Sequence, residues 1–163
     1  MSDLSIDFSR FCDRLKFHVS SDTILSDHLG NDYLWNSKFI RSKLCLAIGS
    51  YYQMEPDTVC DIAVVSELIH NASLIHDDII DKDELRRSVP SVWKQHGKSN
   101  AILIGDLLIA KSFYIISNLK ISDSSRVVAV KLLSETISSL VKGVFNEIND
   151  CLLYTSDAAD ELS

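Results

Sequence analysis

Three aspartates in the stretch Leu68–Arg87, LIHNASLIHDDIIDKDELRR, have the type and spacing to hold a cation. Asp77 and Asp81 stand four positions apart, which on a helix puts them on one face about one turn from each other, with Asp78 beside the first. Mg2+ prefers octahedral oxygen coordination and is usually held by one or two carboxylates plus the phosphates of a substrate, so such a pair implies a phosphorylated ligand. Arg86 and Arg87 follow shortly after. Guanidinium forks pair with phosphate through parallel charge-assisted hydrogen bonds, so metal ligands and arginines together describe a clamp on a diphosphate. Acidic clusters at helix ends are often only solvated. The apolar setting of ASLIHDDII argues against that reading here, because adjacent like charges are costly unless a cation or partner compensates them.

The element that must position these groups reads as a helix over roughly Asp57–Asp81. Glu55-Pro56 starts it, since proline is tolerated in a first turn whose N–H groups would be unpaired anyway. Counted at about 100° per residue, Ser66, His70, Ser73 and Asp77 lie close to one line, with Asp81 slightly off it. The flanking elements have apolar residues at three- and four-residue spacing, and only five Gly and two Pro interrupt the chain, so the fold class is all-α. Helices are expected over Ile6–Ser20, from Asp22 onward, over Ser99–Ser117 with a break at Gly105-Asp106, and over Ser125–Asp150. Ser88–Lys98 is expected as a loop. In Asn36–Leu46, NSKFIRSKLCL, Lys38 and Arg41 are three apart and share a helical face, which by itself describes two solvated cations. His70 alone reads as a hydrogen-bonded core histidine, and His76 as a structural or supporting residue. Asp106 in its apolar helix calls for a structural partner, and Lys111 is too far along to be that partner.

Composition bounds the rest. The chain has 163 residues, is 46% hydrophobic and carries a net charge of -7, enough apolar content for a real core and no basic run suited to nucleic acid. No uninterrupted apolar run approaches the ~18 residues that span a bilayer, and the N-terminus lacks a signal peptide's apolar core, so a cytoplasmic location is the expectation. Cys12, Cys45, Cys60 and Cys151 form no Cys-x-x-Cys pair and suggest no chemistry.

HDDIIDKDELRRSVPSVWKQHG followed by AILIGDLLIAKSF resembles the first aspartate-rich region of the trans-type polyprenyl diphosphate synthases: Asp-Asp-x-x-Asp, then Arg-Arg, then Gly-Asp on the next helix. The resemblance covers roughly residues 30 to 150. It implies the first half of an isoprenoid-synthase helical bundle around a central cavity, dimeric when full length. It also implies condensation of an allylic prenyl diphosphate with isopentenyl diphosphate, dependent on Mg2+. Metal ligation would fall to Asp77, Asp78 and Asp81, with Arg86 on the departing diphosphate. Lys38, Arg41, His70 and Arg87 would hold isopentenyl diphosphate, Lys38 and Arg41 matching a Gly-Lys-x-x-Arg element. The sequence departs from the family pattern at Ser37 (usually Gly), Ser42 (often Pro in the long-chain branch) and Ser88 (commonly Gly). Ala72 and Ser73 occupy positions where short-chain enzymes of the family place aromatics, which implies a product of geranylgeranyl length or longer. A non-catalytic subunit of a heteromeric synthase and a class I terpene cyclase remain alternatives.

The last thirteen residues, CLLYTSDAADELS, break the preceding amphipathic pattern and resemble a translated sequencing adapter. Residues 1–150 are therefore expected to be a truncated synthase domain, and 151–163 a non-native tail that contributes three acidic residues to the net charge.

Overall fold

A computed structural model describes residues 8–35 and 37–160, without the side chains of 30–32 and 150–160. The elements in chain order are α1 (Phe8–Ser20), α2 (Thr23–Trp35), α3 (Ile40–Tyr51), α4 (Pro56–Ile80), β1 (Leu85–Arg86), β2 (Val89–Pro90), α5 (Val92–His96), α6 (Lys98–Ser117) and α7 (Asp123–Asp160). The expected all-α class holds. Ile6 and Asn36, the expected starts of two segments, lie outside the described residues.

The chain divides after Ser122 into two units. In the first, α4 is the central helix and packs against α6, α3 and α1. Its start is set by Glu55, whose carboxylate accepts from Asp57 N (3.1 Å) and Thr58 N (2.7 Å), followed by Pro56 in the first turn. Val59, Cys60, Ala63, Val64, Leu68, Ala72 and Ile75 of α4 join Phe11, Leu15, Leu25, Leu29, Ile104 and Leu108 in the core. Two glycines let neighbours close on α4. A Cβ at Gly49 of α3 would overlap a Val59 methyl, and one at Gly105 of α6 would overlap the His76 ring. A buried charge network ties α1 to α4: Asp61 accepts from Arg14 Nε (2.7 Å) and Nη2 and from His18 Nε2 (3.0 Å). Burial pushes the Asp61 carboxyl up, but His18 and Arg14 outweigh it and hold it below its ordinary value.

Several expectations change. α6 runs unbroken through Gly105-Asp106, because a lone glycine weakens a helix without ending it when packing supports it. Ser88–Lys98 is not one loop but contains β2 and α5. α4 and α6 are, by length and mean hydropathy, each sufficient to cross a bilayer, which a search for uninterrupted apolar runs overlooks. In α4, 61% of that apolar window is buried inside the fold, as a core helix requires. The second unit, α7, is one helix whose backbone continues to Asp160, beyond the expected end at Asp150.

Candidate functional site

Helix α4 ends where its chemistry begins. Asp81 caps it and donates its N–H to Asp77 O (2.8 Å); Lys82 then turns left-handed (φ 60°) and Asp83 N reaches back to Asp78 O (2.9 Å), a Schellman-type stop built without glycine. Asp77 is half-buried and Asp81 exposed, one turn apart. Burial raises the Asp77 carboxyl above its ordinary value, and the like charges of Asp81 and Asp78 add to this against Arg86. Asp77 is thus a carboxylate short of compensation with a second carboxylate one turn away, the condition a hard cation relieves.

Asp78 departs from the expected three-carboxylate set. Its side chain has no exposed surface and accepts from Arg86 Nε (2.8 Å) and Nη2, while its Oδ2 has no partner. The reason is helical geometry: adjacent residues point about 100° apart, so Asp78 faces inward when Asp77 faces the opening. Among the described residues no three His, Cys, Asp or Glu side chains converge as a metal centre. The two remaining carboxylates still fit Mg2+, which completes its shell with water and phosphate oxygens.

The antiparallel hairpin pairs Leu85 with Pro90 and Arg86 with Val89. Its turn residues, Arg87 (φ 52°) and Ser88 (φ 68°), are both left-handed, the two-residue turn whose twist suits a hairpin but which normally uses Asn and Gly. This turn separates adjacent arginines. Arg86 goes to Asp78, with Asp83 3.7 Å away, whereas Arg87 lines a neighbouring cavity.

That cavity, about 530 Å3, is lined by Lys38, Arg41, His70 and Arg87 together with Glu67 and Trp35. All four residues assigned from the sequence to one diphosphate are on its wall. Lys38 does not share a helical face with Arg41 as expected, because it precedes α3 and only Arg41 lies in the first turn. Phe39 between them is left-handed (φ 51°), a conformation that is costly for a bulky residue. Its ring is fixed by Phe8, Phe11 and Trp35 at centroid distances of 5.8, 5.6 and 6.1 Å, so aromatic packing holds the strained loop. His70 is half-buried, and burial followed by the Arg41 charge lowers its pKa, with Glu67 opposing, so the imidazole is neutral at pH 7.

Along α4, Ser66, His70, Ser73 and Asp77 are all half-buried on a helix whose other faces are largely covered. Ser73 Oγ donates to His70 O (2.8 Å). Ala72, expected beside Ser73 on the product path, is instead 1% exposed in the core, so only Ser73 of the two borders open space. Asp106 is not a buried charge: its side chain is 63% exposed, 3.7 Å from His76 Nε2, and the cost that would have demanded a partner disappears. His76 Nε2 also donates weakly to Ile102 O (3.4 Å). Lys111, excluded as a partner for Asp106, donates to Ser21 Oγ (2.9 Å). Glu67 was missed. A single carboxylate inside AVVSELIHNAS, three residues before His70, was the available signal, since an acid in an apolar run needs a reason.

An all-α unit with two acidic groups at the end of its central helix and a cationic cavity beside them has the fold of the isoprenoid diphosphate synthases. Over 84% of this chain it superposes on 45% of a geranylgeranyl pyrophosphate synthetase from the archaeon Geoglobus acetivorans, with a TM-score of 0.77 and 27% identity. A Helicobacter pylori geranyltransferase solved with magnesium and isoprenyl diphosphate matches 82% of this chain and 49% of its own, at TM-score 0.63 and 25% identity. The chain belongs to the polyprenyl synthetase family, whose sequence profile matches residues 25–161. A short chain isoprenyl diphosphate synthase from Methanocaldococcus jannaschii is 35% identical over 131 residues, 80% of this chain but 40% of that protein. The chain spans less than half the length of such curated relatives.

Proposed function

We propose that this chain is the N-terminal part of a Mg2+-dependent trans-polyprenyl diphosphate synthase that joins an allylic diphosphate to isopentenyl diphosphate. The observation that carries the reading is the meeting of Lys38, Arg41, His70 and Arg87 around one cavity, with His70 and Arg87 flanking the Asp77 and Asp81 pair in sequence. Three cations and a neutral imidazole suit a diphosphate: the cations balance its charge and the imidazole N–H donates without repelling them. Asp77 and Asp81 would hold Mg2+ on the allylic diphosphate, where the ion supplies charge neutralisation for the leaving group. Arg86, steadied by Asp78, presents positive charge at the same end of α4.

In the reaction so read, the allylic C1–O bond breaks with its electron pair leaving on diphosphate. The isopentenyl double bond then forms the new carbon–carbon bond, and a proton is lost from the resulting cation. The contribution of Lys38, Arg41, His70 and Arg87 is orientation, which can supply several kcal/mol by holding two reactants in attack geometry. A cyclase would have no use for a second diphosphate cavity, and a non-catalytic subunit none for the acidic pair. The small Ser73 on the half-buried face favours a product longer than fifteen carbons. Cytoplasmic location and dimerisation of the full-length enzyme belong to the same proposal, as does a non-native origin for 151–163. The encoding nucleotides decide that origin, and a reading frame free of adapter sequence overturns it.

The test uses the chain extended to full family length. Asp77→Ala or Asp81→Ala lowers kcat by orders of magnitude, because charge stabilisation is felt mainly in the ionising transition state. Lys38→Ala instead raises KM for isopentenyl diphosphate more than for the allylic partner. One kinetic signature for both kinds of variant would refute this division of the site.

A further inference from the structure

We propose that Glu67 and Ser42 form a latch that positions the cationic wall of the cavity, an inference that rests on the diphosphate reading of that cavity. Helix α3 has Phe39 at its N-cap, whose apolar side chain supplies no cap, although the first N–H groups of any helix need acceptors. The acceptor comes from across the bundle. Glu67 of α4 takes Ser42 Oγ at 2.7 Å and Ser42 N at 3.4 Å on a single oxygen, Oε1, with Ser42 Oγ also 3.5 Å from Ala63 O. Ser42 is wholly buried and Glu67 1% exposed. The second oxygen of Glu67 has no partner, in a residue that lines the cavity with Lys38, Arg41, His70 and Arg87.

Electrostatics alone gives no reason for this carboxylate. It is desolvated at a cost, half its hydrogen-bonding capacity is unused, and its charge repels the anion that the wall would bind. Its geometry gives one. Ser42 sits beside Arg41 in the first turn of α3, and His70 lies one turn beyond Glu67 on α4, so the bond fixes the two helices at the level where their anion-binding groups must converge. Glu67 and Ser42 therefore act as positioning residues, through Lys38, Arg41 and His70, without touching the ligand.

The two accounts predict opposite signs. If Glu67 were only a neighbouring negative charge, removing it would tighten anion binding and Ser42 would not matter. The test measures inorganic diphosphate binding to the 163-residue chain by titration calorimetry, without divalent cation, alongside the unfolding midpoint of every variant. Ser42→Ala and Glu67→Ala are each expected to weaken binding about tenfold, the scale of one hydrogen bond to a charged group, and the double variant no further than Glu67→Ala, because both remove the same hydroxyl–carboxylate bond. Glu67→Gln, whose amide oxygen still accepts from Ser42 while the charge is gone, should bind at least as tightly as wild type. If Glu67→Ala does not fold, Ser42→Ala and Glu67→Gln decide. Unchanged affinity in Ser42→Ala, even with a lowered unfolding midpoint, assigns the bond to stability and overturns the latch. Loss of binding in Lys38→Met with no loss in Ser42→Ala or Glu67→Ala keeps the cavity reading and removes the latch. Absence of binding by the wild-type chain overturns both.

Discussion

Replacing Arg86 with methionine strips Asp78 of its only charged hydrogen-bond donor among the described contacts, and the structure sets the size of the loss. Asp78 has no exposed side-chain surface, its Oδ2 already lacks a partner, and both bonds to Oδ1 come from Arg86. Removing one member of a buried ion pair costs ~3–5 kcal/mol, much of it from the charge left behind. Arg86 is itself 26% exposed, so water enters the vacated space and the lower end, about 3 kcal/mol, applies. With a urea dependence of about 2 kcal/mol/M, the midpoint of Arg86→Met should fall by about 1.5 M. Asp78→Asn retains an acceptor for Arg86 and should cost only about 1 kcal/mol. The double variant should be less damaged than the sum of the two, with about 1–2 kcal/mol of coupling. The same variants separate a supporting from a ligating role: Asp78→Asn should keep Mg2+-dependent diphosphate binding that Asp77→Asn loses. A midpoint for Arg86→Met within about 0.3 M of wild type would refute the stability argument. Asp78→Asn failing to bind the ion as fully as Asp77→Asn would restore Asp78 to the metal shell.

Ser88→Gly should stabilise the chain by about 0.5–1 kcal/mol in denaturant melts, since relief of a left-handed non-glycine residue exceeds the added unfolded-state entropy; a loss would mean that the serine hydroxyl matters more than its backbone. Asp61 has a depressed carboxyl, so its contribution is present above the unfolded pKa and disappears as pH falls through the lower folded value. Asp61→Asn should therefore be about 2 kcal/mol less stable than wild type at pH 7, with the gap closing below about pH 4, and a gap undiminished at pH 3 would contradict this. The 163-residue chain should show little or no synthase turnover with Mg2+ and both diphosphates, and robust turnover would mean that the remainder of the family fold is dispensable. In the full-length enzyme Ser73→Phe should shorten the prenyl product, read by chromatography. An unchanged product would place the end of the path elsewhere.

What the sequence made legible was whatever depends on one helix at a time. The start of α4 at Glu55-Pro56 follows from proline's fit to a first turn, and the one-turn spacing of Asp77 and Asp81 and the half-buried line through Ser66, His70 and Ser73 follow from a period of 3.6 residues. What it hid were properties of residues meeting across elements. The Arg14–Asp61–His18 network joins groups more than forty positions apart, so no local pattern announces it. The hairpin was hidden because its left-handed positions hold Arg87 and Ser88 in place of Asn and Gly, removing the turn signal from the sequence. Asp106 misled in the opposite direction: a charge in an apolar run looked buried, but α6 turns Ile102, Leu103 and Asp106 alike outward.

Arg86 and Arg87 show why tertiary context decides chemistry that residue type leaves open. As a dipeptide they are interchangeable cations, and a clamp on one diphosphate could use both. Folding gives them different work, because the hairpin pairs Arg86 in its strand while left-handed backbone at Arg87 re-aims the next side chain. Arg86 then faces a carboxylate with no exposure, which draws its fork and fixes its position at the acidic end of α4. Arg87 instead lines the cavity together with Lys38 and Arg41, where its charge acts on whatever anion enters and on the neutral state of His70. Two adjacent residues therefore serve two sites, and the left-handed turn at Arg87 and Ser88 is the structural condition for dividing them. A glycine at Ser88 would relax that strain without reversing the division, since the strand register that sends Arg86 inward is set by its pairing with Val89.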